Sequence, residues 1–232
     1  MIRSAGIIAA GLGTRLSSSH PETIKPLVKI GGRPLVCWIV SGLQTAGIKN
    51  ITLLHNSRGG EIELVLTTAF PDITFNFLTA DTPSSWASFR LVASELAKSN
   101  ERFLMSTVDV LAPETEVVRF AETAADSNAA LALTRFVEDE KPLWADLGTD
   151  GTVCAIGPDA SKKETVTCGL YALSRAVVDK FDADYARLRD FWTELIRNGT
   201  PVRGVILGDT VDLDRPEDFK AAETLLASAA KR

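Results

Sequence analysis

Ala9-Ala10-Gly11-Leu12-Gly13-Thr14-Arg15-Leu16 is the segment of this chain best suited to chemistry. Glycine at two positions leaves the backbone a path that side chains would block, and successive free N–H groups along such a loop form a cradle for phosphate oxygens. Arg15 sets a cation beside it. Neither common nucleotide fingerprint fits: Leu16 stands where the Rossmann pattern GxGxxG needs its third glycine, and the Gly-Lys-Ser/Thr of a Walker loop is absent. Farther along, Lys25 precedes Pro26, which lacks an N–H and biases Lys25 toward extended backbone. That suits a lysine held over a phosphate. Taken singly, an ordinary glycine turn accounts for the first segment and a solvated surface lysine for the second.

The elements that must position these residues alternate. Ser4 to Ala10 reads as a buried strand, Pro34 to Ala46 as a helix stopped at Gly47, and Ile51 to Leu54 as a strand. A helix from Glu61 to Ala69, a strand from Ile73 to Leu78, a helix through Phe89, Val92 and Leu96, and a strand from Arg102 to Ser106 follow. Such alternation implies a parallel sheet covered on both faces, with ligands gathering at the carboxyl ends of the strands. Gly11 and Asp109 both stand just past such ends, so they are expected to face one crevice.

Beyond a helix near Val117 to Ala125, strand-like runs at Ala129 to Phe136, Thr152 to Ile156 and Thr165 to Leu173 predict a mixed sheet. Helix, strand and helix close the chain at Phe191 to Arg197, Val202 to Leu207 and Glu217 to Ala230. No repeat, low-complexity segment or linker interrupts it. A single domain over 1–232 is expected, with a nucleotide-binding half at 1–125 and an acceptor-binding half at 126–232.

Composition narrows the class. Of 232 residues, 45% are apolar and 24% charged, which is ordinary for a folded soluble protein and argues against disorder or fibre. Thirty acidic against 25 basic residues give a charge of −5, so no broad phosphate-tracking surface is expected and nucleic acid is a poor partner. Cys37, Cys154 and Cys168 form no CxxC pair and read as small buried side chains in a reducing compartment. No run reaches the roughly 20 apolar residues of a membrane span, and the start lacks the pattern of a secretory signal. A soluble, cytoplasmic protein is the expectation.

The segments Gly-Leu-Gly-Thr-Arg-Leu and Lys25-Pro26-Leu27-Val28-Lys29-Ile30-Gly31-Gly32-Arg33-Pro34-Leu35 together resemble the signature of the nucleotidylyltransferases that make sugar nucleotides. The family pattern is GxGTRL, a spacer, PKPL, then a glycine-rich turn and Pro-Leu before a helix. Ile24 replaces its first proline. Phe103 to Leu111 resembles the strand that delivers the family's metal aspartate, although Thr107-Val108 replaces the usual glycine. Cys168-Gly169-Leu170-Tyr171 is similar to the family's Ala-Gly-Ile-Tyr strand, and Val211 to Phe219 to its closing metal-aspartate segment.

This resemblance implies a Rossmann-like, three-layer α/β/α fold related to the GT-A glycosyltransferases, with a mixed, mainly parallel central sheet. It implies transfer of a nucleoside monophosphate from a nucleoside triphosphate to a sugar phosphate or similar small phosphate ester, with release of pyrophosphate. Catalysis would be positioning and charge neutralisation, with no protein nucleophile. That agrees with a chain whose only histidines, His20 and His55, form no base constellation. Arg15 would hold the departing pyrophosphate and Lys25 the reacting phosphates, while Ala9, Ala10, Gly11, Leu12, Gly13 and Thr14 would contact base and phosphates. Asp109 and Asp212 would hold Mg²⁺, Asp212 being preferred to Asp209 and Asp214 by the family's Asp-x-x-x-Pro spacing. Asp214 would then help order the helix near Pro216. Ser84 and Ser85 occupy a zone near the base in the family, and a helix cap followed by a core Trp86 accounts for them equally well. Gly169 would let backbone approach the acceptor. Lys162 and Lys163 are expected as turn charges in preference to phosphate ligands.

A cytidylyltransferase of a polyol or choline phosphate is an alternative, since Gly151 to Gly157 looks like inositol-phosphate cytidylyltransferases. A GT-A-type glycosyltransferase would need an Asp-x-Asp motif, where this chain has Val108-Asp109-Val110. A catalytically silent nucleotide-binding domain is the remaining reading, against which Arg15, Lys25, Asp109 and Asp212 stand together.

Overall fold

The computed structural model describes residues 1–11, 24–135 and 142–229. The strands are β1 (Ser4–Ala9), β2 (Lys29–Ile30), β3 (Arg33–Pro34), β4 (Asn50–His55), β5 (Thr74–Thr79), β6 (Arg102–Thr107), β7 (Val110–Leu111), β8 (Ala129–Thr134), β9 (Trp144–Leu147), β10 (Val153–Ile156), β11 (Thr165–Ser174), β12 (Arg203–Ile206) and β13 (Val211–Asp212). The helices are α1 (Leu35–Thr45), α2 (Gly60–Ala69), α3 (Ser85–Ala97), α4 (Glu114–Thr123), α5 (Arg175–Val178), α6 (Leu188–Arg197) and α7 (Asp218–Ala229).

Strand β1 reads Ser-Ala-Gly-Ile-Ile-Ala and is covered on both faces, as expected of a near-continuous apolar run. It pairs in parallel with β4 on one edge and β6 on the other, and β4 pairs in parallel with β5. From β1 the chain passes through α1 to β4 and through α2 to β5, then returns through α3 to β6 on the opposite flank of β1. Strand order therefore reverses at β1. Residues Ala5, Ile7 and Ala9 of β1 share a core with Val36, Val40, Leu43, Ile62, Leu66 and Phe120 from α1, α2 and α4. The other face packs Phe89, Val92 and Leu96 of α3 with Phe191 and Trp192 of α6. Helices α1 and α4, which follow β1 and β6, cover the same face, while β4 and β6 flank β1 on opposite sides, and the crevice lies at the carboxyl ends where this strand order reverses.

Past β6 the sheet turns mixed, as expected. Strand β11 runs antiparallel to β6 on one edge and to β8 on the other, its early residues pair with β9, and β12 lies parallel to β8. Among the described residues nine strands share this sheet, drawn from both the 1–125 and 126–232 segments. Strand β9, with Trp144 and buried Asp146, was not foreseen from the sequence, because Trp-Ala-Asp-Leu lacks both alternation and β-branching. Short ribbons β2–β3 and β7–β13 were not foreseen either: two-residue strands carry no period to detect.

Cys37 and Cys168 are buried thiols as expected, whereas Cys154 is exposed, since its position on β10 faces outward. Among the described residues no helix is long and apolar enough to cross a membrane.

Candidate active site

The loop leaving β1 begins on the crevice. Asn56, buried at the end of β4, donates its side-chain amide to Ala10 O at 3.2 Å and fixes the exit of the strand. Gly11 is exposed, and a Cβ built on it would meet no atom of the described residues within 4 Å. Those residues make no steric demand for glycine there. Leu12, Gly13, Thr14 and Arg15 lie outside the described residues, as does His20.

On the other side of the crevice, the Val108 amide donates to Ile8 O at 3.1 Å, tying the end of β6 to β1. Asp109 follows. The ribbon that continues from it, β7, pairs antiparallel with β13, Val110 opposite Asp212, and the Leu213 amide donates to Asp109 O at 3.0 Å. This backbone ladder joins Val110 and Leu111 to Asp212 and Val211, segments far apart in sequence. As a result Asp109, Asp212 and Asp214 converge, with donor oxygens within 4.8 Å of one another. Asp212, expected as a metal ligand, and Asp214 both belong to this cluster. The role of ordering the last helix falls to Asp218, whose Oδ2 accepts from the Asp214 and Arg215 amides, each at 2.7 Å. Asp209 stands outside the cluster.

Lys25 starts a short 3₁₀ turn, 25–27, with Pro26 at its first positions. Its side chain is 8% exposed, and Nζ donates to Asp109 Oδ2 at 2.8 Å and to Asp214 Oδ1 at 2.6 Å. The surface alternative for this lysine is thus excluded. Burial opposes its charge, but the Asp109 and Asp214 carboxylates outweigh that and raise its pKa. Burial likewise works against ionised Asp109, yet the Lys25 ammonium and the Thr107 hydroxyl hold its carboxyl below the ordinary range.

Thr107 explains a departure from the family pattern. Gly169 adopts φ +74 in a bulged part of β11, and a Cβ there would lie 2.4 Å from Thr107 Oγ1. Glycine at 169 makes room for threonine at 107, and that threonine orients Asp109. Gly169 also lines a cavity of about 320 Å³ together with Asp109, Asp212, Asp214, Tyr171 and Arg189. Tyr171 is buried there, with its phenol pKa raised by burial and by the neighbouring Asp109. Burial pushes the Cys168 thiol up to about 12, which keeps it neutral.

Ser84 caps α3, its Oγ accepting from the Ala87 amide at 3.1 Å, and Trp86 is a core residue, stacked on Phe191 at 4.8 Å. Of the two accounts of this segment, cap and core describe Ser84 and Trp86. Ser85 differs: its Oγ accepts from the Leu188 amide at 3.0 Å, and it lines the same cavity as Asp109. His55 is buried between Asn56 O at 2.8 Å and Glu63 Oε1 at 2.9 Å, with the Thr79 hydroxyl 3.5 Å from its Nε2. Lys162 is a turn residue, its Nζ on Leu147 O at 3.0 Å. Sequence reasoning missed Thr107, Asp214 as a partner of Lys25, and the pair Arg187 and Arg189. The Arg-Leu-Arg triplet at the start of α6 was the available signal.

Residues 5–165 match the sequence pattern of the MobA-like NTP transferase domain family. A mannose-1-phosphate guanyltransferase of Kluyveromyces lactis is 26% identical over 238 residues, covering 97% of this chain and 65% of the relative. The Saccharomyces cerevisiae mannose-1-phosphate guanyltransferase is 25% identical, again with 97% of this chain and 65% of the relative covered. The chain spans about two thirds of the length of these curated relatives. Among solved structures, the inositol-1-phosphate CTP transferase from T. maritima superposes with a TM-score of 0.81 at 18% identity, over 99% of this chain and 97% of that one. HddC from Yersinia pseudotuberculosis, complexed with GMP-PN, superposes with a TM-score of 0.74 at 21% identity, over 97% and 100%. The expected Rossmann-like nucleotidyltransferase fold is thereby borne out.

Proposed function

The chain belongs to the MobA-like NTP transferase domain family, and from that membership we propose that it is a nucleotidylyltransferase, moving a nucleoside monophosphate from a triphosphate to a sugar phosphate or similar small phosphate ester. The observation that carries this reading is the Lys25 ammonium held between Asp109 and Asp214 at the point where strand order reverses. A buried cation flanked by carboxylates on a crevice suits a reaction in which charge develops on phosphate oxygens.

The residues divide the work. Ala9, Ala10 and Gly11, followed by Leu12, Gly13 and Thr14, cradle the nucleotide, the free space above Gly11 giving backbone access to the phosphates. Arg15 retains the role of holding the departing pyrophosphate. Lys25 neutralises the reacting phosphates, and its raised pKa keeps it charged across the physiological range. An acceptor phosphate oxygen attacks the α-phosphorus in line, and the bond from that phosphorus to the bridging oxygen of pyrophosphate breaks. Gly169 flanks the cavity on the acceptor side, and Ser85 lines it from the nucleotide half. The 1–125 segment then serves the nucleotide and the 126–232 segment the acceptor.

Asp109, Asp212 and Asp214 offer only oxygen donors, the set that a hard divalent ion prefers. They fit Mg²⁺, which when bound supplies positive charge to the triphosphate oxygens. Against its burial, Lys25 first and Thr107 after it favour the ionised form of Asp109.

The test is pyrophosphate release by the protein with Mg²⁺ and pairs drawn from GTP, CTP, UTP and dTTP with mannose 1-phosphate, glucose 1-phosphate and inositol 1-phosphate. GTP with mannose 1-phosphate leads the panel, since the curated relatives carry those names. Release that demands both substrates and stops on chelation supports the proposal. Nucleotide binding without release from any pair would instead mark a silent binding domain.

A further inference from the structure

A second cavity, of about 700 Å³, adjoins the first, and the two share Pro142, Leu143, Arg187 and Arg189 as a common wall. Arg187 is the cap residue of α6 and Arg189 lies in its first turn. The amino end of a helix carries partial positive charge, so two cations there oppose the field of their own helix. Asp190 relieves Arg187 only in part, at 3.6 Å from its Nε. Arg189 is half-buried, and among the described residues its side chain makes no ion pair or hydrogen bond.

Lys163 completes the wall from the connection between β10 and β11. At φ 52 it is the one non-glycine residue with a positive φ among those described. Side chains rarely adopt that backbone, and it persists only where the surroundings impose it. Here Asp146, 4% exposed, imposes it: its carboxylate accepts from the Ser161 amide at 2.7 Å, the Ser161 hydroxyl at 3.0 Å and the Lys162 amide at 3.0 Å. Lys163 is exposed, as expected of a turn charge, and its ammonium has no partner among the described residues.

The remaining charges of this cavity are engaged. Arg197 grips Asp159 with two hydrogen bonds, at 2.6 and 2.8 Å, and Glu194 is bonded to the Tyr185 hydroxyl. Among the described residues lining this cavity, Lys163 and Arg189 are the two cations without an ion pair or hydrogen bond.

We propose that the second cavity is the distal part of the acceptor site and that it takes a second anionic group, a phosphate or a carboxylate, carried by the acceptor away from its reacting phosphate. This rests on the transfer reading above. An acceptor whose only anion is its reacting phosphate would offer Lys163 and Arg189 no partner in this cavity, whereas a distal anion could meet both, at the amino end of α6.

Calorimetric titration of the full chain, without nucleotide or metal, with glucose 1-phosphate, glucose 1,6-bisphosphate and glucuronic acid 1-phosphate tests this. The bisphosphate should bind about tenfold tighter than the monophosphate, and the uronic acid will separate carboxylate from phosphate as the preferred group. In Lys163→Gly, which suits the backbone at that position, and in Arg189→Gln, the ratio of the two affinities should fall toward one. A ratio near one in the parent, or an unchanged ratio in both variants, overturns the proposal. So does Arg189→Gln weakening both ligands equally, which would assign that arginine to the reacting phosphate. Because the ratio is read without turnover, its failure is distinct from an absence of pyrophosphate release.

Discussion

Lys25 Nζ lies 2.6 Å from Asp214 Oδ1 across 189 positions of sequence, and the same ammonium reaches Asp109 at 2.8 Å. Each partner holds the others in place, so loss of any one should be felt in the chemistry. Lys25→Met and Asp214→Asn are each expected to lower kcat/KM by about a hundredfold or more, the scale of removing one preorganised electrostatic contact. Asp209→Asn, outside the cluster, should stay within about twofold of the parent. Steady-state pyrophosphate release measures all three, and parent-like values for both Lys25→Met and Asp214→Asn would remove the pair from the reaction.

The same pair sets a pH dependence of stability. Asp109 is depressed from its ordinary 3.8 by Lys25 and Thr107 against its burial, so its contribution is present above 3.8 and is lost as pH falls through the lower, folded value. Lys25 is raised from 10.5, so its contribution is full below that pH and is lost only as pH rises beyond it. Between these limits both act, and the acid side below pH 3.8 is where Asp109 shows. Urea midpoints measured from pH 2 to 7 should drop less steeply in Asp109→Asn than in the parent. Parallel acid limbs would contradict the linkage.

Two glycines should fail in different ways. Gly11→Ala meets no protein atom, so its melting temperature should match the parent while KM for the triphosphate rises. Gly169→Ala must hold φ +74 with Cβ 2.4 Å from Thr107 Oγ1, a strain of about 1–3 kcal/mol that should lower the melting temperature. Thermal unfolding beside kinetics separates them, and an unstable Gly11→Ala or an undisturbed Gly169→Ala would count against these assignments.

Trp86 supports the site from beneath. Its ring meets Phe191 at 4.8 Å and Phe181 and Tyr185 at 4.9 Å, which locks α3 to the start of α6 where Ser85 receives the Leu188 amide. Trp86→Ala should destabilise the protein by about 3–5 kcal/mol and Trp86→Phe by less. Denaturant unfolding checks the order, and a nearly neutral Trp86→Ala would show that the cluster does not carry the packing described.

Much of the architecture was legible in the residues. Long apolar runs such as those of β1 and α1 have a period strong enough to name the element, and alternation of strand and helix is enough to imply a crevice past the strand ends. The glycine loop and Asp109 were visible because each follows such a run, and Lys25 because Pro26 and the family-like segment after it set it apart. Strand β9 and the two small ribbons were not visible, since two to four residues are held by their partners and by nothing in their own pattern.

Residue types and spacing thus settled the layered fold and named the first loop, Lys25 and several aspartates as candidates. Which aspartates meet, that Lys25 is buried between two of them, that Thr107 needs Gly169, and that Arg189 and Lys163 line one wall were settled only by folding. The physical reason is that each of these relations is a backbone pairing or a side-chain contact between segments far apart in the chain. A sequence displays such relations only after the sheet and the β7–β13 ladder have brought the segments together.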